Sequence, residues 1–384
     1  MKRKKVFTLI LVVTLITSLL LVGCGDSKKG TADNGNASNT IKIAVAGPMT
    51  GDYAQYGEAF QRATSLKAKE INDAGGIDGK KIELIVLDDK NDAKEATNVA
   101  QKLISDEDIV GLIGHFSSSA CLAAAPVYQK AGLVEFSPTS SHPRFTKQGT
   151  YMFRNVNTQE VEGPIAAEFA INDLGKKKIA IIYINNDWGI TAKDNFISKA
   201  EELGGEIVAC ETFIGGQTKD FTPTITKIRE AEPELVFLAA MYSESGMIAQ
   251  QIKQMNYDVQ LLGTSALNNE QFLKLAGDSI EGLYLTNNFF AQDPKPMVQN
   301  FIKEFKDEFG VEPDQFAALA YDSLGMMAEA LKVSGCDRAK LRDELAKIKN
   351  YEGVTGNTTF NENRDVIKEM VILQVKDNKF TLYK

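Results

Sequence analysis

Two hydroxyl-rich turns carry the chemistry that this sequence could do. Between Gly111 and Pro143 it reads GLIGHFSSSACLAAAPVYQKAGLVEFSPTSSHP. Ser117, Ser118 and Ser119 follow one apolar strand and open a helix, while Thr139, Ser140 and Ser141 follow the next strand. In an open α/β sheet, ligands bind at the carboxyl ends of the strands. The first amides of a helix lack intrahelical partners and carry the positive end of its dipole, so a small anion is their natural guest. The chemistry to expect is a small carboxylate held by hydroxyls and amides. The same residues are also ordinary turn chemistry, with Ser117 as a helix N-cap.

A second chemistry would use the same turns. The only two histidines, His115 and His142, lie beside the serines, so a Ser–His hydrolase is conceivable. No G-x-S-x-G elbow is present, and His115 reads as a hydrogen-bonded structural residue rather than a catalyst. Asp88-Asp89 at another strand end reads as a turn, since a metal site needs further ligands. No catalytic residue, metal or cofactor is expected.

The elements that must position these turns follow from periodicity. Strand Ile41–Ala46 leads through Gly47-Pro48-Met49-Thr50-Gly51 into a helix reaching Asp73. Strand Lys81–Leu87, helix Asp92–Ser105, strand Ile109–Ile113, helix Ser119–Ala131 and strand Leu133–Phe136 follow. After an extended stretch, Gly149–Asn157, helix Glu160–Asp173 begins a second series. Its strands are Lys178–Ile184, Glu206–Thr212, Leu235–Ala239 and Gln260–Gly263, and its helices are Trp188–Leu203, Pro223–Glu230, Glu244–Met255 and Asn268–Leu275. The series is interrupted near Leu283–Asn288, and helices Met297–Phe309, Gln315–Val333 and Arg338–Ile348, then strands Gly356–Phe360, Glu369–Lys376 and Phe380–Tyr383, complete the chain. Strands alternating with amphipathic helices call for parallel sheets covered on both faces. Two such series predict two lobes, with crossovers near 155–159, 286–292 and 350, hinged around a cleft.

Lys2, Arg3, Lys4 and Lys5 precede an apolar run from Val6 to Val22, the layout of a secretory signal. Leu21-Val22-Gly23-Cys24 resembles a bacterial lipobox, which implies cleavage before Cys24 and a lipid on its sulfur. Residues 24–40 read as a flexible tether. The chain has a formal net charge of −8, and losing residues 1–23 removes four basic residues and no acidic one, leaving −12. That balance argues against nucleic acid and against an anionic lipid surface as partner. After Cys24, only Cys121, Cys210 and Cys336 remain, without metal-like spacing or a disulfide framework.

The turns become informative together. IKIAVAGPMTG, AQYG, INDAGGIDGKKIEL, GLIGHFSSSA, FSPTSS, FRN, DWG, YSES, LLGTSA and PDQFAALAYDSL resemble the Leu/Ile/Val-binding proteins of bacterial ABC importers, over most of residues 41–380. The resemblance implies a two-lobed type I periplasmic binding protein in the α/β class. Each lobe would be a mainly parallel sheet flanked by helices: 41–157 plus 290–350 in lobe 1, and 158–289 plus 351–384 in lobe 2. It implies a monomeric receptor, lipid-anchored outside the cell membrane, that captures an amino acid and delivers it to permease subunits. A sensory receptor for amides or small carboxylates is the alternative.

The resemblance also implies residue roles. Ser118 would bind the ligand α-carboxylate, Thr139 would offer its carbonyl to the ammonium, and Ser140 and Ser141 would add hydroxyls. Tyr56, Trp188 and Phe316 would form walls, joined by Tyr242 or, one residue earlier, Met241. The family usually places Glu or Asp after strand Gln260–Gly263 to pair the ammonium, but here Thr264-Ser265-Ala266 occupies that turn, with Ser265 as its expected ligand contact. Because a buried ammonium needs a counter-charge, either another acid such as Glu244 or Asp187 replaces the missing one or the ligand is not a plain α-amino acid.

Overall fold

The computed structural model describes residues 39–384. The leader, Cys24 and nearly all of the expected tether lie outside the described residues. Thr40, assigned to the tether from sequence, is instead the first residue of a strand. Among the described residues, no helix is long and apolar enough to cross a membrane.

The first βα series comprises β1 (Thr40–Gly47), α1 (Ala54–Asp73), β2 (Lys81–Asp88), α2 (Ala93–Ile104), β3 (Ile109–Ile113), α3 (Ser118–Ala131), β4 (Val134–Ser137) and β5 (Met152–Arg154). Its five strands form a parallel sheet in the order β2-β1-β3-β4-β5. Every residue of β3 is buried, as a strand covered on both faces requires. Gly114 ends β3 with φ 139°, where a Cβ would lie 2.2 Å from the Ala46 carbonyl oxygen. Only glycine lets the first hydroxyl turn leave the sheet this close to β1.

The second series comprises α4 (Gln159–Glu168), β6 (Lys178–Ile184), α5 (Asp187–Glu202), β7 (Glu206–Phe213), α6 (Thr222–Glu230), β8 (Leu235–Ala239), α7 (Tyr242–Gln254), β9 (Gln260–Gly263), α8 (Glu270–Ala276) and β10 (Tyr284–Asn287). The chain then forms α9 (Pro296–Phe309), α10 (Gln315–Ser334), α11 (Arg338–Ala346), the hairpin β11 (Tyr351–Gly353) and β12 (Gly356–Thr358), and the strands β13 (Val371–Lys376) and β14 (Lys379–Leu382). The second sheet runs β14-β13-β10-β9-β8-β6-β7, with β13 and β14 antiparallel at one edge. Two mainly parallel sheets flanked by helices make the expected α/β, two-lobed fold.

The lobe boundaries differ from expectation at the tail. Residues 351–366 stay with lobe 1 rather than joining lobe 2. Asp322 on α10 accepts from the Val354 and Thr355 amides at 2.9 and 2.8 Å. Phe360 packs edge-on against Phe136 and Phe153, and Asp365 pairs with Arg154 at 2.6 Å. These contacts move the third crossover from the expected 350 to the stretch between Val366 and Val371. There Asn157, in the first crossover, exchanges two hydrogen bonds with the Lys368 backbone, at 2.9 and 2.8 Å. Two of the connecting segments are thus laced into one hinge.

Candidate functional site

The two hydroxyl turns of lobe 1 are fixed from beneath. Ser137 Oγ donates to the His115 carbonyl at 2.7 Å and accepts from the Ser140 amide at 2.9 Å, tying the turns together. Arg154, fully buried, donates to the Ser140 carbonyl at 2.7 Å. Ser117 caps α3, its Oγ accepting from the Ala120 amide at 3.3 Å. The cap sets Ser118 at the first helical position, where its own amide has no helical partner. The Ser118 hydroxyl accepts from the His142 amide at 3.3 Å, and the Thr139 hydroxyl donates to the Phe116 carbonyl at 2.8 Å.

His115 does no chemistry with these serines. Its Nδ1 lies 2.6 Å from the Asp89 carboxylate and its Nε2 lies 3.1 Å from the Tyr128 hydroxyl, all fully buried. The geometry fits an imidazole that donates to Asp89 and accepts from Tyr128. The His142 ring accepts from the Arg144 amide at 3.0 Å. Neither ring hydrogen-bonds a serine hydroxyl, so the hydrolase arrangement is not assembled.

Between the lobes lies a cavity of about 40 Å³, room for a few water-sized groups. Lobe 1 lines it with Ser117, Ser118, Thr139 and Ser141, and with the apolar Phe116, Phe316 and Leu319. Lobe 2 lines it with Glu162, Trp188, Met241, Ser265 and Ala266. Of the residues expected from sequence, Ser118, Thr139, Ser141, Trp188, Ser265 and Phe316 therefore meet at one place.

Three expected residues stand behind the wall. Tyr56 is fully buried and stacks on Phe116, with ring centroids 4.1 Å apart; its hydroxyl donates to the Ala266 carbonyl at 3.0 Å. Ser140 is fully buried and is not among the residues lining the cavity. Tyr242 packs edge-on against Tyr56 and donates to the Asp52 carbonyl at 2.8 Å. Met241 lines the cavity in its place, because it is the N-cap residue of α7 and Tyr242 lies one position further round the helix.

Neither acid nominated from sequence reaches the cavity. Glu244 accepts from the Tyr53 hydroxyl at 2.6 Å, the Gly216 amide at 2.9 Å and the Ser243 hydroxyl at 2.7 Å. Burial first, and Glu244 next, hold the Tyr53 phenol well above its ordinary pKa, so it remains a donor. Asp187 accepts from the Ser119 hydroxyl at 2.8 Å. With Asp52–Lys219 at 2.7 Å, these are contacts between the lobes, set around the cavity rather than in it.

The residue that sequence reasoning missed is Glu162. It is 3% exposed and lines the cavity from the first turn of α4. Its Oε1 accepts from the Ser265 amide at 2.8 Å and the Thr286 hydroxyl at 2.7 Å; its Oε2 accepts from Gln159 Nε2 at 2.6 Å. Two acids in a first turn read as dipole chemistry. The signal was the stripe Gln159, Glu162, Gly163, Ala166, Ala167, which is the buried face of α4. An acid on a buried helical stripe is out of place unless something there needs it.

Comparison with known proteins agrees with this geometry. The family model of the periplasmic binding protein matches residues 40–379. A Leu-, Ile-, Val-, Thr- and Ala-binding protein of Pseudomonas aeruginosa is 31% identical, covering 92% of both chains. The branched-chain amino acid transporter substrate-binding protein LivJ of Streptococcus pneumoniae, solved in complex with isoleucine, is similar at TM-score 0.85 and 31% identity, over 89% of this chain and 97% of that one. An ABC transporter substrate-binding protein from Desulfitobacterium hafniense, in complex with Leu, is similar at TM-score 0.77 and 28% identity, over 90% of this chain and 100% of that one. With the fold, the interlobe cavity and these similarities in agreement, the chain belongs to the periplasmic binding protein family.

Proposed function

We propose that this protein is the extracytoplasmic receptor of an ABC importer, taking up an amino acid of the branched-chain type between its lobes and delivering it to the permease. The observation that carries this reading is the meeting of hydroxyls and a helix start from lobe 1 with an aromatic and thioether wall from lobe 2 around one small cavity. Ser118 and the first amides of α3 hold the ligand carboxylate, with Thr139 and Ser141 beside them. Trp188, Met241, Phe316 and Leu319 enclose an aliphatic side chain. Closure around the ligand is a population shift driven by contacts from both lobes, and the closed pair of lobes is what the permease meets. The enclosed lining, polar on one side and apolar on the other, suits a small solute.

A thermal-shift screen of the mature chain against the common amino acids tests this. Saturating ligand stabilises a fold by RT ln(1 + [L]/Kd), about 2.7 kcal/mol at a hundredfold excess. Leucine, isoleucine or valine should give the largest rise in melting temperature. If none of the amino acids moves it, the reading is wrong.

The same proposal anchors the protein by a lipid on Cys24 after removal of residues 1–23. Cys24→Ala should release the protein from membranes into the medium or periplasm, and labelled palmitate should enter the wild type alone.

A further inference from the structure

The buried acids of this protein divide by what stands against them. Asp89 accepts from the His115 ring at 2.6 Å, away from the cavity. Asp322 lies near Lys368, which is itself buried. Glu135 is fully buried away from the cavity, and burial pushes its carboxyl well up, toward the neutral acid. Glu244 spends its oxygens on Tyr53, Gly216 and Ser243 outside the cavity. Glu162 is different. It is buried and lines the cavity, and it takes part in none of the ion pairs found among the described residues.

Its three donors are all neutral: an amide N–H, a hydroxyl and a side-chain amide. Donors of this kind fix the direction of its two oxygens. A carboxylate offers about four lone-pair positions, so one remains after three bonds. A buried charge without a cationic partner is costly, and here the missing cation has a place to sit. Gln159 Nε2 bonds both Glu162 Oε2 at 2.6 Å and Ser141 Oγ at 3.1 Å. One side-chain amide thus joins the acid of lobe 2 to the hydroxyl turn of lobe 1. The turn after β9, which carries no acid, instead gives Glu162 the Ser265 amide.

We infer that Glu162 is the counter-charge for the ligand ammonium, moved from the turn after β9 to the first turn of α4, and that the ligand is therefore a zwitterion rather than a simple carboxylate or an amide. This rests on the reading of the interlobe cavity as a solute site. The carboxylate sits against Ser118 and the start of α3, and the ammonium against Glu162. The two charges are close together, as in an α-amino acid, because the cavity between them is small.

The test uses calorimetric titration of the mature chain with L-isoleucine and with 3-methylpentanoate, the same skeleton without the amine. Wild type should bind isoleucine and fail to bind 3-methylpentanoate at a hundredfold higher concentration. Glu162→Gln should lose at least a hundredfold in isoleucine affinity, and adding Ser265→Glu to it should restore tenfold or more. Isoleucine binding to a folded Glu162→Gln within threefold of wild type would overturn the assignment while leaving the solute-receptor reading intact. Wild type that binds 3-methylpentanoate as well as isoleucine would also overturn it. A wild type that binds no amino acid would overturn both. If Glu162→Gln does not fold, Glu162→Asp keeps the charge and withdraws it by one methylene. A loss of tenfold or more for isoleucine supports the assignment, and unchanged affinity overturns it.

Discussion

The two faces of the cleft are built from different materials. Lobe 1 presents short hydroxyl side chains at strand ends and the start of α3, all braced from below by Ser137, Arg154 and Asp365. Lobe 2 presents larger groups set on helices: Glu162 on α4, Trp188 on α5 and Met241 at the start of α7. One face suits an anion, and the other offers a carboxylate and an apolar wall. Neither face alone is complementary to an amino acid. The difference teaches that a site for an amino acid needs both faces; under the proposed function, closure assembles it, and contacts between the lobes set how long the ligand stays.

Trp188→Ala should cost about as much as the loss of the Glu162 charge, since it removes a 7% exposed aromatic from the lobe 2 face. Isoleucine affinity should fall by about two orders of magnitude, roughly the 2–4 kcal/mol of an aromatic hot spot. Measured by titration, a loss under threefold would remove Trp188 from the wall. Ser118→Ala comes next. A hydroxyl bonded to a charged group is worth about 1.5–3 kcal/mol, so affinity should fall by about ten- to a hundredfold; unchanged affinity would leave Ser118 as a turn residue only.

The contacts around the cavity sharpen the comparison from outside it. Tyr53→Phe deletes one bond across the lobes, and Glu244 keeps two other donors. About 1 kcal/mol is at stake, so stopped-flow release should speed up by roughly fivefold. The association rate should barely change, because the open form lacks this bond. Equal changes in both rates would show that the bond does not belong to the closed state.

The smallest effect concerns pH. Burial first, then Arg144, holds the His142 imidazole below its ordinary pKa of 6.5. The unfolded chain therefore takes up this proton first as pH falls. The corresponding stability is present above about pH 6.5 and is lost as pH falls through the lower folded value. The urea midpoint of the unliganded protein should fall between about pH 7.5 and 5.5, and His142→Asn should flatten part of that slope. An identical slope in the variant would refute the contribution.

Much of the fold was legible in advance. The strands Ile109–Ile113, Lys178–Ile184, Leu235–Ala239 and Gln260–Gly263 have the predicted ends, because each is a short apolar run closed by turn residues. The hydroxyl turns were equally visible as turns, but Ser and Thr at strand ends also cap helices and close turns, so their use as a site was not. The tail was not. The hairpin Tyr351–Thr358 carries no mark of which lobe it will cover. That choice came from Asp322 on a distant helix and from a cluster of Phe136, Phe153 and Phe360.

The site divides along the same line. Local pattern alone determined the strand ends, the cap at Ser117 and the helix start that follows, since these depend on neighbours a few residues away. Only the tertiary structure decided which acid enters the cleft. Glu244 and Asp187 stand in turns as favourable as any, yet both were drawn to partners on the other lobe. Glu162, on the stripe of a helix that packs tightly enough for a Cβ at Gly163 to lie 2.8 Å from Asn195, was brought to the cavity. A charge's role depends on what stands opposite it after folding, and here that partner is about a hundred residues away in sequence at Ser265 and Thr286.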